Sequence, residues 1–276
     1  MNRRVLKDAS RQCIQNAHYN TKIVTLVFLL SLLVLIVADW GLGTFVQNHT
    51  GSGGHYLSQS ISSETRSYIV VFVISTICHL LSMLLRMGYT SFALKLSRGS
   101  MFSLKVLLDG FQLWGKTILL YLMVSVMLSL WASLFSIPVS YIFSALYLAG
   151  TIDESIMFYG ILIYMAVVML IVSYRYRTAW FVLMDHPELP IRQIISQAKA
   201  INQIHRGKIF LLDLSFLPWI LLSAITCGIL LIWKLPYITA TYAHAYNYML
   251  EDYGKRQRHL QEFLEQQQDH LRQNKF

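Results

Sequence analysis

The sequence predicts an all-α, multi-pass membrane protein with six transmembrane helices plus short amphipathic helices at the inner face. Two observations lead to this fold class. Of the 276 residues, 55% are hydrophobic and only 13% are charged, whereas soluble domains carry about 25% charged residues. The apolar residues also fall in runs of the ~20 residues that one helix needs to cross a bilayer. Most of the chain is therefore expected to face lipid, and we expect it in the cell membrane.

The formal net charge of +9 is explained by where the basic residues lie. Every Lys and Arg except Arg66 and Lys234 lies in one of four polar segments, which are residues 1–22, 86–116, 175–208 and 251–276. Basic residues collect on the cytoplasmic side of membranes. Six spans with both termini cytoplasmic place all four segments inside, whereas five or seven spans would place one outside. The predicted partner is the surface of anionic membrane lipids, and we expect no nucleic acid.

The six spans are predicted at residues 23–40, 67–85, 117–136, 156–177, 209–226 and 228–250. They form one membrane domain over residues 23–250, after a cytosolic amphipathic segment of residues 1–22. In that segment Leu6, Ala9, Cys13 and Ala17 follow helical spacing. Residues 251–276 form a charged, helical, cytosolic tail. The tail carries Leu260, Phe263, Leu264 and Leu271, which could contact a protein partner or a second copy of the chain.

The first two spans are joined by residues 41–66, which are rich in Gly, Ser, Asn and His. This composition predicts an irregular external loop. The first span begins at Ile23 and ends at Trp40, an aromatic residue typical of a headgroup boundary. The second span is followed by Arg86, which returns the chain to the inner side.

Residues 103–114 are predicted to form an amphipathic helix along the inner face. One face carries the five apolar residues Leu104, Leu107, Leu108, Phe111 and Trp114, and the other face carries Lys105, Asp109 and Gln112. The third span follows at residue 117, and Pro138 is expected to kink or end its helix.

The fourth span reaches the tetrapeptide from Tyr174 to Arg177, for which two interpretations stay open. Arg175 and Arg177 either mark the inner boundary of the membrane, where aromatic and basic residues are enriched, or are buried in a longer span. After Pro190 a third amphipathic helix is predicted. Its apolar stripe comprises Ile191, Ile194, Ile195, Ala198, Ile201 and Ile204.

The three amphipathic segments, residues 5–17, 103–114 and 190–206, each precede a pair of predicted spans. This order is compatible with a threefold structural repeat. It is equally compatible with short basic linkers that recur independently between spans.

The polar residues within the apolar runs are the candidates for a functional site. Asp213 lies ~7–8 Å beyond Lys208 along a helix, and acids at such positions are candidates for function. We predict an ion pair with Arg175 or Arg177 that sets helix register; proton or ion handling and interfacial solvation are the alternatives. His79 and His244 are predicted to be hydrogen-bonded packing residues rather than metal ligands.

The last third of the chain carries a distinctive set of residues. They are Leu214, Ser215, Phe216 and Trp219, then Thr226 and Gly228, then Pro236 and Tyr237. In this set the chain resembles an integral membrane family of Gram-positive bacteria catalogued as domain of unknown function 975. Pro218 stands where that family usually has glycine, and the basic motif before the fifth span is displaced to Gly207 and Lys208. The resemblance implies a bacterial membrane protein and implies no activity.

No motif for catalysis, metal binding or phosphate binding is present in the sequence. We therefore expect no enzyme activity and no cofactor. The predicted function is a non-catalytic membrane scaffold or accessory component. The alternative is a transporter or a lipid- or peptide-handling protein. Helices that proline is expected to break favour this alternative.

Overall fold

A computed structural model describes residues 2–50, 60–226 and 228–273. In these ranges the chain forms ten α-helices and one 3-10 helix, with no strand, so the predicted all-α class is confirmed. The α-helices are α1 (Arg3–Asn16), α2 (His18–Thr50), α3 (Ser60–Ser97), α4 (Asp109–Gln112), α5 (Trp114–Leu148), α6 (Glu154–Ser173), α7 (Ala179–Asp185), α8 (Ile191–Asn202), α9 (Arg206–Ile225) and α10 (Leu231–Gln273). The 3-10 helix, Leu104–Leu108, lies between α3 and α4.

Five of the described helices contain a stretch long and apolar enough to cross a membrane. These stretches are Thr21–Gly41, Ile69–Ser97, Trp114–Leu148, Glu154–Ser173 and Arg206–Ile225. Helix α10, which contains the sixth predicted span, is not among them. It runs from Leu231 to Gln273 as one helix, so the predicted span and the predicted tail are continuous.

The predicted irregular loop at residues 41–66 is wrong at both of its ends. Helix α2 continues to Thr50 and α3 begins at Ser60, while residues 51–59 lie outside the described part of the chain. Once a helix is nucleated, each further residue adds a hydrogen bond. No proline interrupts residues 41–66, so the polar composition alone does not stop either helix.

The helix of the third span is longer than predicted, and the helix of the fourth ends earlier. Helix α5 passes through Pro138 and ends at Leu148, because helices in membranes tolerate proline. Helix α6 ends at Ser173. Arg175 and Arg177, which were predicted at the end of this span, therefore lie in the turn at residues 174–178. In this turn the backbone N–H of Arg175 bonds to the carbonyl of Val172 at 3.0 Å, a spacing of three residues that tightens the chain.

Residues 103–114 do not form the single amphipathic helix that the sequence predicts. The 3-10 helix precedes the four-residue helix α4. Leu107 is 4% exposed, whereas Leu104 and Leu108 are 49% and 55% exposed, so the predicted apolar face is divided. Asp109 of the predicted polar face accepts a hydrogen bond from Lys95 at 2.6 Å. Residues of both the predicted apolar face and the predicted polar face therefore hold the segment against α3.

Two glycines allow this segment to contact the backbone of α3. A Cβ atom on Gly88 would lie 2.0 Å from the carbonyl oxygen of Leu107, and one on Gly110 would lie 2.1 Å from that of Leu84. Contacts this short exclude any side chain. Gly88 and Gly110 therefore let the two segments pack backbone to backbone.

The chain divides into two compact units. One unit comprises Met1–Arg3, Ile118–Leu217 and Tyr242–Phe276, and the other comprises Arg4–Thr117 and Pro218–Thr241. The core of the second unit contains Val24, Phe28, Tyr89, Phe92, Leu96, Val106, Leu107 and Ala240. Phe28 stacks on Tyr89 at 4.2 Å between ring centroids, and the Tyr89 hydroxyl lies 3.0 Å from that of Thr25. This core joins α2 to α3.

In the first unit, helix α8 has the apolar stripe that the sequence predicts. Ile191, Ile194, Ile195, Ala198 and Ile201 are buried. Ile204, which the prediction included, is 60% exposed, because α8 ends at Asn202 and the chain turns. The stripe is buried in protein, so it is not available to lie on lipid.

Candidate functional site

Asp213 is the centre of a polar cluster in the first unit. It lies in α9, about seven residues or ~10 Å from the start of that helix. Arg177 and Tyr174 come from the turn after α6, and Tyr242 comes from α10. Three separate parts of the chain thus meet at one carboxylate.

Both oxygens of the Asp213 carboxylate contact Arg177. The guanidinium Nη1 lies 2.8 Å from Oδ2, and Nη2 donates to Oδ1 at 3.0 Å. Two parallel contacts of this kind are stronger and more directional than a single one. The hydroxyl of Tyr242 also donates to Oδ1, and that of Tyr174 donates to Oδ2, each at 2.5 Å. The carboxylate therefore accepts from four donor atoms on three residues.

The two tyrosines also cover the guanidinium. The Arg177 guanidinium carbon lies 4.7 Å from the ring centroid of Tyr242 and 5.5 Å from that of Tyr174. Such contacts between a cation and an aromatic ring are favourable. The side chain of Asp213 is 21% exposed and that of Arg177 is 36% exposed. The pair is thus partly enclosed by its own hydrogen-bonding partners.

Arg175, the other predicted partner of Asp213, has a different environment. Its guanidinium lies 5.3 Å from the ring centroid of Trp131 in α5, and its backbone carbonyl accepts a hydrogen bond from Asn202 at 3.2 Å. Of the two arginines that the sequence proposes, Arg177 forms the ion pair and Arg175 packs on an aromatic ring.

A second polar cluster connects the start of α9 to α10. His205, which is 3% exposed, donates from Nε2 to the Asp252 carboxylate at 3.0 Å, and Arg256 lies 2.9 Å from the same oxygen. The hydrogen bond from His205, together with the charge of Arg256, holds the pKa of Asp252 below its ordinary value. The Nδ1 atom of His205 is buried without a hydrogen-bond partner.

The two histidines that the sequence analysis considered as candidates lie on different helices. The side chain of His79 in α3 is exposed, and that of His244 in α10 is half-buried. Among residues 2–50, 60–226 and 228–273, no group of three or more His, Cys, Asp or Glu side chains could hold a metal ion. Burial raises the pKa of the Cys13 thiol in α1.

Most of the distinctive residues of the last third make structural contacts. Leu214 is 51% exposed, and the Ser215 hydroxyl donates to the carbonyl of Leu212 at 2.6 Å. Phe216 is fully buried, with its ring edge-on to Tyr242 at 5.9 Å between centroids.

The remaining distinctive residues belong to the second unit. The ammonium of Lys234 lies 3.8 Å from the ring centroid of Trp219, and the Arg11 guanidinium lies 5.8 Å from that of Tyr237.

Thr226 follows the end of α9, and its hydroxyl accepts from the backbone N–H of Leu230 at 3.4 Å. Gly228 has φ +83°, which favours glycine. Pro236 lies inside α10. Thr226 and Gly228 therefore shape the turn between α9 and α10.

The sequence analysis did not identify Tyr174 and Tyr242 as members of the cluster at Asp213. Tyr174 belongs to the Tyr-Arg-Tyr-Arg tetrapeptide, of which only the two arginines are predicted to contact Asp213. Tyr242 gave no signal, since its contact with Asp213 joins residues 29 positions apart on different helices.

Comparison with known families gives one match. The family described as "Protein of unknown function (DUF975)" matches residues 1–252 of the chain. Comparisons with curated proteins and with solved structures give no match.

Proposed function

The chain belongs to the DUF975 family of proteins of unknown function, and we propose that it is a non-catalytic scaffold or accessory component of the cell membrane. The observation that carries this proposal is the complete set of contacts at Asp213. An acid that transfers protons or binds a cargo ion needs an oxygen that is free to accept. Here a bidentate arginine and two phenols occupy both oxygens, which favours a structural role.

The proposal includes six spans with both termini in the cytoplasm. In the part of the chain that the structure describes, five helices are long and apolar enough to cross a membrane, and residues 231–250 of α10 are the proposed sixth span. With six spans, all four basic segments of the sequence lie on the cytoplasmic side, as basic residues prefer. Exposed basic groups on that side would contact anionic lipid headgroups.

The proposed scaffold has a surface for a partner on the tail of α10. Leu260, Phe263 and Leu264 are 52%, 55% and 48% exposed and lie on one face of the helix, at spacings of three and four residues. A photoreactive residue at position 264 should give a discrete cross-linked adduct in cells. The matched control is position 262, which lies on the opposite face and should give much less. Equal labelling at both positions would contradict a partner surface.

Proton flux tests the non-transporting part of the proposal. Proteoliposomes with an internal pH-sensitive dye should show the same proton leak as protein-free liposomes under an imposed pH gradient. The Asp213→Asn protein should behave as the wild type does. A flux that requires the wild-type protein and disappears in Asp213→Asn would overturn the scaffold proposal.

The second candidate is a transporter or a lipid- or peptide-handling protein. It is favoured by the prolines inside three of the described helices, Pro138 in α5, Pro218 in α9 and Pro236 in α10. Proline frees backbone carbonyls that transporters use to bind cargo. Substrate-dependent protection of these helices from hydrogen exchange would favour this candidate over the scaffold.

A further inference from the structure

Two cavities in the second unit are lined by successive residues of helix α2. The first, of about 430 Å³, is lined by Ile23, Val24, Phe102, Ser103, Leu104 and Lys105. The second, of about 530 Å³, lies between α2 and α3 and includes Leu30, Leu35, Leu81 and Phe111 in its lining. On α2 the lining residues follow one another at every turn from residue 23 to residue 35. We call the two cavities together the α2 groove.

The two ends of the α2 groove differ in chemistry. At the first end, Lys105 lines the cavity directly, and Lys22 immediately precedes the lining residue Ile23. Both lysine side chains are exposed. Ser103, also in the lining, makes no side-chain hydrogen bond to cap the 3-10 helix. The far end is lined almost entirely by apolar side chains, with Ser31 as the exception, and the Ser31 hydroxyl donates to the carbonyl of Phe28 at 2.7 Å.

The length of the groove matches one leaflet of a membrane. From residue 23 to residue 35 a helix rises ~18 Å, and half of the hydrocarbon core of a bilayer is ~15 Å. The apolar side chains along it are open to the surroundings, since Leu30 is 51% and Val34 is 65% exposed. A molecule with an anionic head and an apolar chain of leaflet length would satisfy both ends.

We propose that the α2 groove is a binding site for an anionic phospholipid. The headgroup phosphate contacts Lys105 and Lys22 at the basic end, and one acyl chain lies along α2 between Leu30 and Leu81. The proposal rests on the membrane placement of α2 and α3 given above, but not on the scaffold role. The bound lipid belongs to the leaflet on the side of the basic end.

Native mass spectrometry of the detergent-purified full chain tests the site. The probe is phosphatidylglycerol, with phosphatidylcholine as the zwitterionic control. The wild-type protein should retain phosphatidylglycerol in preference to phosphatidylcholine. Since a lysine near an anionic surface contributes measurably to binding, Lys105→Gln should weaken retention about fivefold and Lys22→Gln with Lys105→Gln about twentyfold. Lys208→Gln changes an exposed lysine outside the groove and should have no effect.

A groove-filling variant tests the apolar end. Ser31→Trp should reduce the retention of both lipids, because the indole occupies the acyl-chain space. Its control is Ser129→Trp, which changes an exposed serine of α5 whose hydroxyl makes a similar bond to the carbonyl of Val126 at 2.9 Å. Thermal stability of each variant shows that it is folded.

Two results would overturn the site. One is equal retention of the two lipids by the wild type, and the other is unchanged retention in folded Ser31→Trp and Lys22→Gln/Lys105→Gln proteins. Reporter fusions after residues 22 and 100 check the membrane placement separately. A failure of the lipid site is thus distinguishable from a failure of the proposed topology.

Discussion

The guanidinium of Arg177 contacts the carboxylate of Asp213 through two nitrogens, at 2.8 Å and 3.0 Å, although the residues are 36 positions apart in the chain. This contact connects the turn after α6 to α9. Tyr242 adds a contact from α10 at 2.5 Å. Removing one charge would leave the other with desolvation that is no longer compensated.

Asp213→Asn should lower the free energy of unfolding by about 2 kcal/mol, since hydrogen bonds to charged groups contribute ~1.5–3 kcal/mol and Arg177 is partly exposed to solvent. A double-mutant cycle measures the pair itself. Asp213→Asn with Arg177→Gln should show a coupling of about 1–2 kcal/mol in detergent melts. The matched cycle uses Arg175→Gln, whose guanidinium packs on Trp131, and should show less than about 0.5 kcal/mol. Equal coupling in both cycles would refute the specific pair.

Gly88 and Gly110 should both be sensitive to substitution by alanine. In Gly88→Ala the new Cβ would lie 2.0 Å from the Leu107 carbonyl oxygen, and in Gly110→Ala 2.1 Å from that of Leu84. Because backbone atoms cannot rotate away, each change should destabilise the protein by about 3 kcal/mol. Thermal melts in detergent measure this.

Gly115→Ala is the matched control for both substitutions. Gly115 lies in the first turn of α5 and has no atom within 4 Å of a built Cβ. Alanine there should be neutral or stabilise by about 0.5 kcal/mol through helix propensity. If Gly88→Ala were as stable as Gly115→Ala, the close backbone contact would be wrong.

The sequence predicted elements better than contacts, and the α8 stripe shows why. Five of its six predicted residues are buried, because spacing along one helix is a local property. The segment at residues 103–114 was mispredicted because its conformation depends on Gly88, a residue of another helix. The same limit applies at Asp213, for which the rarity of intramembrane charges predicted an ion pair with Arg175 or Arg177, and Arg177 forms it. The phenols of Tyr174 and Tyr242 were not predicted, since tyrosine is common at membrane boundaries.

The cluster at Asp252 should make stability depend on pH. Its pKa is lowered in the folded state, chiefly by the hydrogen bond from His205. A lowered pKa stabilises the fold above the unfolded value, ~4, and this contribution is lost as the pH falls through the folded value. Asp252→Asn should therefore lower the melting temperature at pH 7, and the difference from the wild type should shrink progressively as the pH falls below ~4.

Glu251→Gln is the control for the pH experiment. Glu251 pairs with Lys255 at 2.7 Å on the same helix, and its side chain is 66% exposed. Exposed pairs of this kind contribute little, so the melting temperature at pH 7 should hardly change. A pH-independent difference between the wild type and Asp252→Asn would show that the loss comes from packing rather than from ionisation.

Helix α10 should cross the membrane although its composition does not mark it as a span. Its first half carries polar side chains at positions that are buried by protein, and Thr241 is 0% exposed. A helix surrounded by other helices needs less apolar surface than one that faces lipid. Lys234 near its start lies over the ring of Trp219, as expected for a basic residue that extends toward the headgroups at a helix end. Reporter fusions after residues 22, 50, 100, 152, 200 and 260 should therefore report inside, outside, inside, outside, inside and inside. An outside signal after residue 260, with the other five unchanged, would show that α10 does not cross and that the protein has five spans.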